Sequence, residues 1–143
     1  MNYLGIDWGQ KKIGLAIASG EMKIASPILT LSFHSFSEVV SKLKEIIEKE
    51  KIDVIVIGEP VSLSGGKKLA ESYKSFVAEL EGLGVKIEFE DERLSTRLAE
   101  RLKREFRGAK KVSDDEIAAA AILQSYLDRL NSPLKIRGAR GVI

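Results

Sequence analysis

Four consecutive β-branched residues at positions 54–57, Val-Ile-Val-Ile, restrict the fold of this chain more than any other feature. An unbroken apolar run of this length is typical of a strand that is covered on both faces of a sheet. Apolar residues recur at helical spacing before the run, in residues 36–49, and after it, in residues 67–80. The pattern therefore predicts an α/β fold with helices packed on the faces of a sheet.

The other predicted elements complete a mixed sheet. Residues 3–6 and 13–18 predict two strands joined by a short turn, as in a hairpin. A third strand near residues 23–31 contains Pro27, which cannot donate a backbone hydrogen bond, so we expect an edge strand there. Residues 85–89 predict a fifth strand. The expected sheet has five strands, a three-stranded antiparallel meander plus two further strands, flanked by helices.

The ends of the helices are marked by capping residues. Ser35 or Ser37 can cap the first helix, Ser95 a third helix, and Ser113 a last helix over residues 114–130. The 143 residues are the size of one domain. We assign residues 1–131 to that domain, and residues 132–143, which are basic and show no periodicity, to a loose tail.

Composition excludes several kinds of chemistry. The chain has no Cys and a single His, His34. Disulfides, thiolate metal sites and thiol nucleophiles are therefore excluded, and Ser-His-Asp catalysis is disfavoured. No basic segment followed by an apolar core opens the chain, and no apolar run approaches the roughly 20 residues of a membrane span. We expect a cytoplasmic protein with no membrane partner.

The charges are segregated along the chain. Residues 1–92 carry a net charge of −4 and residues 93–143 a net charge of +6, with eight basic and two acidic side chains in residues 93–111. Such segregation indicates a polyanionic partner. A solvated amphipathic helix with its basic side chains outward is the alternative explanation.

Three acidic residues stand at the ends of predicted elements. Asp7 ends the first strand, Glu92 follows the fifth, and Asp115 lies in the first turn of the last helix. In open α/β sheets ligands collect beyond the carboxyl ends of the strands, where Glu59 also lies. Asp115 could instead be a first-turn acid favoured by the helix dipole, and Glu92 could pair with a nearby Arg. Asp7 is harder to explain in this way, because a charge next to a buried strand is costly unless it is paired or bound to metal.

Gathered carboxylates without His or Cys favour hard divalent cations. Mutual repulsion raises the pKa of neighbouring carboxyl groups, and a cation relieves it. Oxygen ligands suit Mg²⁺ or Mn²⁺, and two such ions can activate water and stabilise the leaving oxygen of a phosphodiester. The carboxylates therefore predict a metal-dependent phosphodiesterase.

Four segments, in order along the chain, resemble the motifs of one family. Residues 4–16 are similar to the opening motif of the YqgF (RuvX-like) family, the candidate pre-16S rRNA nucleases and Holliday-junction-resolvase-like proteins. Residues 56–60 with Ser64, Gly65 and Gly66 resemble its glycine-proline loop. Residues 91–96 resemble its Asp-Glu-Arg-hydrophobic-Ser/Thr-Thr motif, and residues 115–127 resemble its closing helix.

The resemblance implies an RNase H-like fold and a role for the same three carboxylates. It implies that Asp7, Glu92 and Asp115 are the active-site acids that bind divalent metal for phosphodiester hydrolysis. Two positions depart from the family pattern: Glu59 stands where an apolar residue is more usual, and Asp114 doubles the acid. Glu59 is thus either a bystander or a fourth carboxylate. The spacing to residues 118–119 favours Asp115 over Asp114.

A basic rim is predicted around these carboxylates, so that cations hold phosphates while the acids hold metal. Free backbone amides at the start of the second helix offer a further phosphate contact, although the two glycines there could simply form a turn. The predicted nucleic-acid-binding residues are Lys11, Lys12, Gly65, Gly66, Arg93, Arg97 and Arg101.

Several functions agree with this pattern. The first, whose substrate comes from the resemblance, is a nuclease that processes the 5′ end of pre-16S rRNA in ribosome biogenesis. The second is a Holliday junction resolvase, which needs a dimer to make two symmetric cuts in branched DNA; monomer and homodimer both stay open. The third is a non-catalytic, nucleic-acid-binding assembly factor. An actin-like ATPase is a fourth, but it requires two such domains and the chain has length for one.

Overall fold

Strands and helices alternate along the chain much as the hydrophobic pattern predicts. The computed structural model describes residues 1–21, 23–59, 67–91, 96–106 and 112–131. The strands in these residues are β1 (Asn2–Asp7), β2 (Lys12–Ser19), β3 (Ser26–Ser32), β4 (Val54–Glu59) and β5 (Lys86–Asp91). The helices are α1 (Phe36–Glu50), α2 (Lys67–Glu81), α3 (Thr96–Phe106) and α4 (Asp114–Leu130).

The strands form one mixed sheet in the order β3-β2-β1-β4-β5. β1, β2 and β3 are an antiparallel meander, and β4 pairs in parallel with both β1 and β5. The predicted mixed sheet is confirmed, and Pro27 lies in the edge strand β3, as its missing N–H requires. β1, β4 and β5 therefore direct their carboxyl ends to one edge of the sheet, where Asp7, Glu59 and Asp91 are found.

Helices cover both faces of the central strands. On one face, Leu4 and Ile6 of β1 pack in a core cluster with residues of α1 and α2. On the other face, Tyr3 packs in a second cluster with α4, and α3 packs on α4. Residues 54–57 are buried, with alternate side chains in the two clusters, which confirms the prediction from their unbroken apolar run.

Two predicted caps are present. The Ser35 hydroxyl accepts a hydrogen bond from the backbone N–H of Glu38 at the start of α1, and the Ser113 hydroxyl accepts one from Glu116 N–H at the start of α4. Ser95 lies outside the described residues. In the part of the chain that the structure describes, no helix combines the length and the hydrophobicity that a bilayer crossing requires.

The predicted fifth strand is present, and it extends two residues further than expected. We expected residues 85–89, but β5 starts at Lys86 and continues to Asp91. Glu90 pairs with Gly58 of β4 in the ladder, and its side chain is buried against α4. The acidic residues 90–91 are typical of a loop, but backbone pairing and a buried polar contact extend the strand through them.

Candidate active site

Asp7 lies at the carboxyl end of β1 and on the face that α4 covers. Alternation along the strand places it on the same side as Tyr3 and Gly5, which both face α4. It pairs in register with Gly14 of β2, which in turn pairs with Thr30 of β3. Asp7, Gly14 and Thr30 therefore form a row across three strands.

The missing side chain of Gly14 lets α4 approach this row. A Cβ at Gly14 would lie 1.9 Å from the backbone carbonyl oxygen of Asp115, which is too close for two non-bonded heavy atoms. A Cβ at Gly5 would likewise lie 2.8 Å from the Leu123 Cβ and 2.9 Å from the Ala119 carbonyl oxygen. The two glycines seat α4 directly on β1 and β2, so the first turn of α4 lies beside the position of Asp7.

Polar contacts fix that first turn. The Ser113 hydroxyl, which caps α4, lies 2.7 Å from the Thr30 hydroxyl at the end of the same row. Ser113 also donates to the Glu116 carboxylate at 3.1 Å. The start of α4 is thus tied to β3 as well as resting on β2.

Asp114 and Asp115 point in different directions. The Asp115 carboxylate lies 3.2 Å from the Nζ of Lys12, at the start of β2, and its side chain is 32% exposed. The Asp114 carboxylate lies 3.6 Å from the Nζ of Lys103, on α3, and its side chain is 81% exposed. Asp115 therefore faces β2, and Asp114 faces α3.

The third predicted acid, Glu92, lies outside the described residues, as do Arg93, Gly65 and Gly66. Asp91, the residue before Glu92, ends β5 in register with Glu59 of β4. Among the described residues, no three His, Cys, Asp or Glu side chains are grouped closely enough to hold a metal. Of the three predicted acids, the structure describes Asp7 and Asp115.

Glu59 belongs to the other side of the sheet. It shares its strand face with Ile55 and Ile57, which pack in the cluster beneath α1 and α2. Asp7 faces α4 instead, so the alternation gives no support to Glu59 as a fourth carboxylate.

The predicted basic residues separate into two groups. Lys12 pairs with Asp115, and Lys11, the residue before Lys12, is exposed. Arg101 instead lies beside Gln124 and Asp128, and its Nε is 3.9 Å from the Glu105 carboxylate. Gln124 is nine residues beyond Asp115, or about 13 Å along α4.

Arg97, in the first turn of α3, is exposed. The structure therefore brings Lys12 to the acids and does not bring Arg101 there.

The donor set of the pair fits a hard cation. Both acids offer carboxylate oxygens, the ligands that Mg²⁺ and Mn²⁺ prefer. The site already attracts a cation, since the Lys12 ammonium group pairs with Asp115. The donor type of Asp7 and Asp115 is thus compatible with a divalent metal.

Sequence reasoning missed one buried acid near this edge. Glu90 is 1% exposed and bonded to Ser125 and Arg129 of α4. The one available signal was the alternation of Glu88 and Glu90 with Ile87 and Phe89, which is a strand pattern with acids on one face.

Solved structures share this fold. Thermus thermophilus RuvC in complex with a Holliday junction substrate superposes with a TM-score of 0.68 at 14% identity, over 92% of this chain and 97% of that chain. The yeast mitochondrial Holliday junction resolvase Ydc2 gives 0.57 at 13% identity, over 87% and 77%. The chain therefore has the RNase H-like fold of these resolvases.

Closer relatives narrow the class. A protein of Caldanaerobacter subterraneus subsp. tengcongensis named as a candidate pre-16S rRNA nuclease is 40% identical over 134 residues, 90% of this chain and 96% of its own length. One of the same name from Dictyoglomus thermophilum is 36% identical over 133 residues, again 90% and 96%. Residues 1–129 match the family described as "RuvX: Holliday junction resolvase". The chain belongs to the RuvX family.

Proposed function

We propose that this chain is a metal-dependent nuclease that hydrolyses phosphodiesters in structured nucleic acid and processes the 5′ end of pre-16S rRNA. The observation that carries the proposal is the seating of Asp115 on Gly14, beside the end of the strand that carries Asp7. Membership of the RuvX family and relatives named for pre-16S rRNA cleavage support the reaction and its substrate. This substrate would place the protein in the cytoplasm.

Asp7, Asp115 and Glu92 are the proposed ligands of Mg²⁺ or Mn²⁺. When bound, the metal supplies an activated water and stabilises the leaving oxygen of the phosphodiester. Asp7 and Asp115 stand on two regular elements, a central strand and a capped helix. Because these elements hold the two backbones in place before a ligand binds, little conformational entropy is lost on binding.

Lys12 has a second role in this proposal. In the structure its ammonium group neutralises Asp115 at 3.2 Å. A divalent cation at the acids would remove the need for that counter-ion. Lys12 would then be free to hold a phosphate of the substrate together with Lys11, Arg93, Arg97 and the backbone of Gly65 and Gly66.

A second function is favoured by a specific observation. The description of the family and the likeness to RuvC both concern Holliday junctions, so cleavage of branched DNA is the alternative substrate. That reaction makes two cuts, so it would require a homodimer in which the acids of each copy cleave one DNA strand.

One experiment compares the two substrates directly. Purified protein is given a precursor 16S rRNA 5′ end and a four-way DNA junction side by side, with Mg²⁺, with Mn²⁺ and with EDTA. The proposal expects metal-dependent cleavage of the rRNA precursor, with the junction cut more slowly. Preferred cleavage of the junction by a dimer would replace the rRNA assignment with the resolvase. Absence of cleavage of both substrates with either metal would leave a non-catalytic binding protein.

A further inference from the structure

β5 carries a buried charge that the proposed reaction does not use. Among the described residues, Glu90 is the one polar or charged side chain that is fully buried, with 1% exposed. One carboxylate oxygen accepts a hydrogen bond from the Ser125 hydroxyl at 2.8 Å, and the other accepts one from the Arg129 guanidinium group. A buried carboxylate is costly without such partners, so its two contacts to α4 hold the side chain in one place.

Apolar packing does not join β5 to α4. Among the described residues, the core cluster beneath α4 contains no side chain of β5. Ile87 packs on the opposite face of the sheet, and Phe89 is 43% exposed. The polar contacts of Glu90 are therefore the main link between the edge strand and the helix.

The partners of Glu90 are themselves held in position. The Arg129 guanidinium carbon lies 5.8 Å from the centre of the Tyr126 ring, and this ring packs against Tyr3 of β1 at 6.1 Å. Burial, followed by the nearby charge of Glu88, raises the pKa of Tyr126, so its hydroxyl group stays protonated at neutral pH. Glu90 is thus connected through α4 to the strand that carries Asp7.

The location of this link matters for the site. Glu90 directly precedes Asp91, the last residue of β5, and α4 carries Asp115 at its other end. As an edge strand, β5 pairs on one side only, with β4. The hydrogen bonds of Glu90 to α4 therefore add a restraint on the carboxyl end of β5 that pairing with β4 does not supply.

We propose that Glu90 is a positioning residue, which through Ser125 and Arg129 fixes the carboxyl end of β5 against α4 at the separation that metal binding requires. The inference rests on the proposed function in one respect, the role of Glu92 as the ligand that follows β5. Glu90 itself has no proposed contact with metal or substrate.

Glu90→Gln tests this role, and Glu88→Gln is its matched control. Both substitutions remove one negative charge from β5 on the same strand face, but Glu88 is half-buried and pairs with Lys86 at 3.3 Å. Mn²⁺ affinity is measured by calorimetry without nucleic acid, and hydrogen exchange of the β5 amides is measured in parallel, well below the unfolding temperature. We expect Glu90→Gln to weaken Mn²⁺ binding about 10- to 100-fold, the usual effect of losing a group that orients a ligand. Exchange at residues 90–91 should accelerate, while Glu88→Gln should stay close to wild type.

Several results would overturn the proposal. If Glu90→Gln lowers only the unfolding temperature and binds Mn²⁺ as Glu88→Gln does, Glu90 is merely structural. If Glu90→Gln does not fold, Ser125→Ala removes one hydrogen bond and keeps the ion pair. A loss of Mn²⁺ affinity of several-fold would then support positioning, and unchanged affinity would refute it.

Failure of the proposed function gives a different result. In that case the wild type would neither bind Mn²⁺ nor cleave either substrate. Hydrogen exchange then decides on Glu90 alone: faster exchange at residues 90–91 in Glu90→Gln than in Glu88→Gln supports the link to α4, and equal exchange refutes it.

Discussion

At the scale of single residues, two adjacent aspartates on α4 have the same chemistry and different surroundings. Asp115 lies on Gly14 and pairs with Lys12 of the sheet, whereas Asp114 pairs with Lys103 of α3 and is largely exposed. An exposed pair of this kind contributes little to stability. These different surroundings are the reason that Asp115, and not Asp114, is the proposed metal ligand.

We predict that Asp115→Asn and Asp114→Asn separate cleanly. Asp115→Asn should reduce the cleavage rate by more than about a hundredfold, since even groups one step removed from a metal cost about 10–100-fold. Asp114→Asn should stay within a few-fold of wild type. Cleavage rates measured with saturating Mg²⁺ check this. Equal losses of rate in the two variants would contradict the choice of Asp115 over Asp114 as the metal ligand.

At the scale of elements, the first turn of α4 is the structure that places Asp115. The Ser113 cap bonds to Glu116 and to Thr30 of β3, so it fixes both the start of the helix and its seat on the sheet. α1 has the same kind of cap in Ser35, whose hydroxyl contacts only Ser37 and Glu38 of α1 among the described residues. The two caps allow the stability of a helix to be separated from its role in the site.

Ser113→Ala and Ser35→Ala should each lower the free energy of unfolding by about 1 kcal/mol, the usual cost of a lost cap. Of the two variants, only Ser113→Ala should also weaken Mn²⁺ binding, because Asp115 lies in the turn that it caps. Denaturant unfolding and calorimetric titration measure the two effects. A similar loss of affinity in Ser35→Ala would mean that helix stability alone explains the effect.

The elements themselves follow largely from local pattern. The buried run in β4, the edge position of Pro27 and the caps of α1 and α4 were all readable from neighbouring residues. The extension of β5 through Glu90 was not, because its reasons are a backbone partner in β4 and two side chains about 35–39 positions further along the chain. The different surroundings of Asp114 and Asp115 also depend on residues distant in sequence.

At the scale of the whole molecule, three basic residues that were predicted to bind nucleic acid lie in two separate regions. Lys11 and Lys12 lie at the hairpin next to the acids, and Arg101 lies beside Gln124 and Asp128 further along α4. The sequence predicted that all three surround the acids, because the positions of charges along the chain do not show how α3 packs on α4. Of these three residues, the two lysines are near the proposed path of a phosphate backbone.

Salt dependence distinguishes these regions. Lys11→Ala should weaken RNA binding and make the negative slope of log affinity against log salt concentration shallower by about 0.7–0.9, the loss of one phosphate contact. Arg101→Ala removes the same charge and should leave the slope unchanged. Binding isotherms at several salt concentrations, with Ca²⁺ in place of Mg²⁺, measure both slopes. A shallower slope in Arg101→Ala with no change in Lys11→Ala would assign the binding surface to the α3 side instead.

The central claim is that Asp7, at the end of β1, is a ligand of the metal that drives cleavage. The most direct measurement compares Mg²⁺-dependent cleavage of a precursor 16S rRNA end by the wild type and by Asp7→Asn, with thermal unfolding of both. We predict that Asp7→Asn loses more than about a hundredfold in rate and unfolds within a few degrees of the wild type, because the substitution keeps the shape of the side chain. Full cleavage by Asp7→Asn would contradict the account.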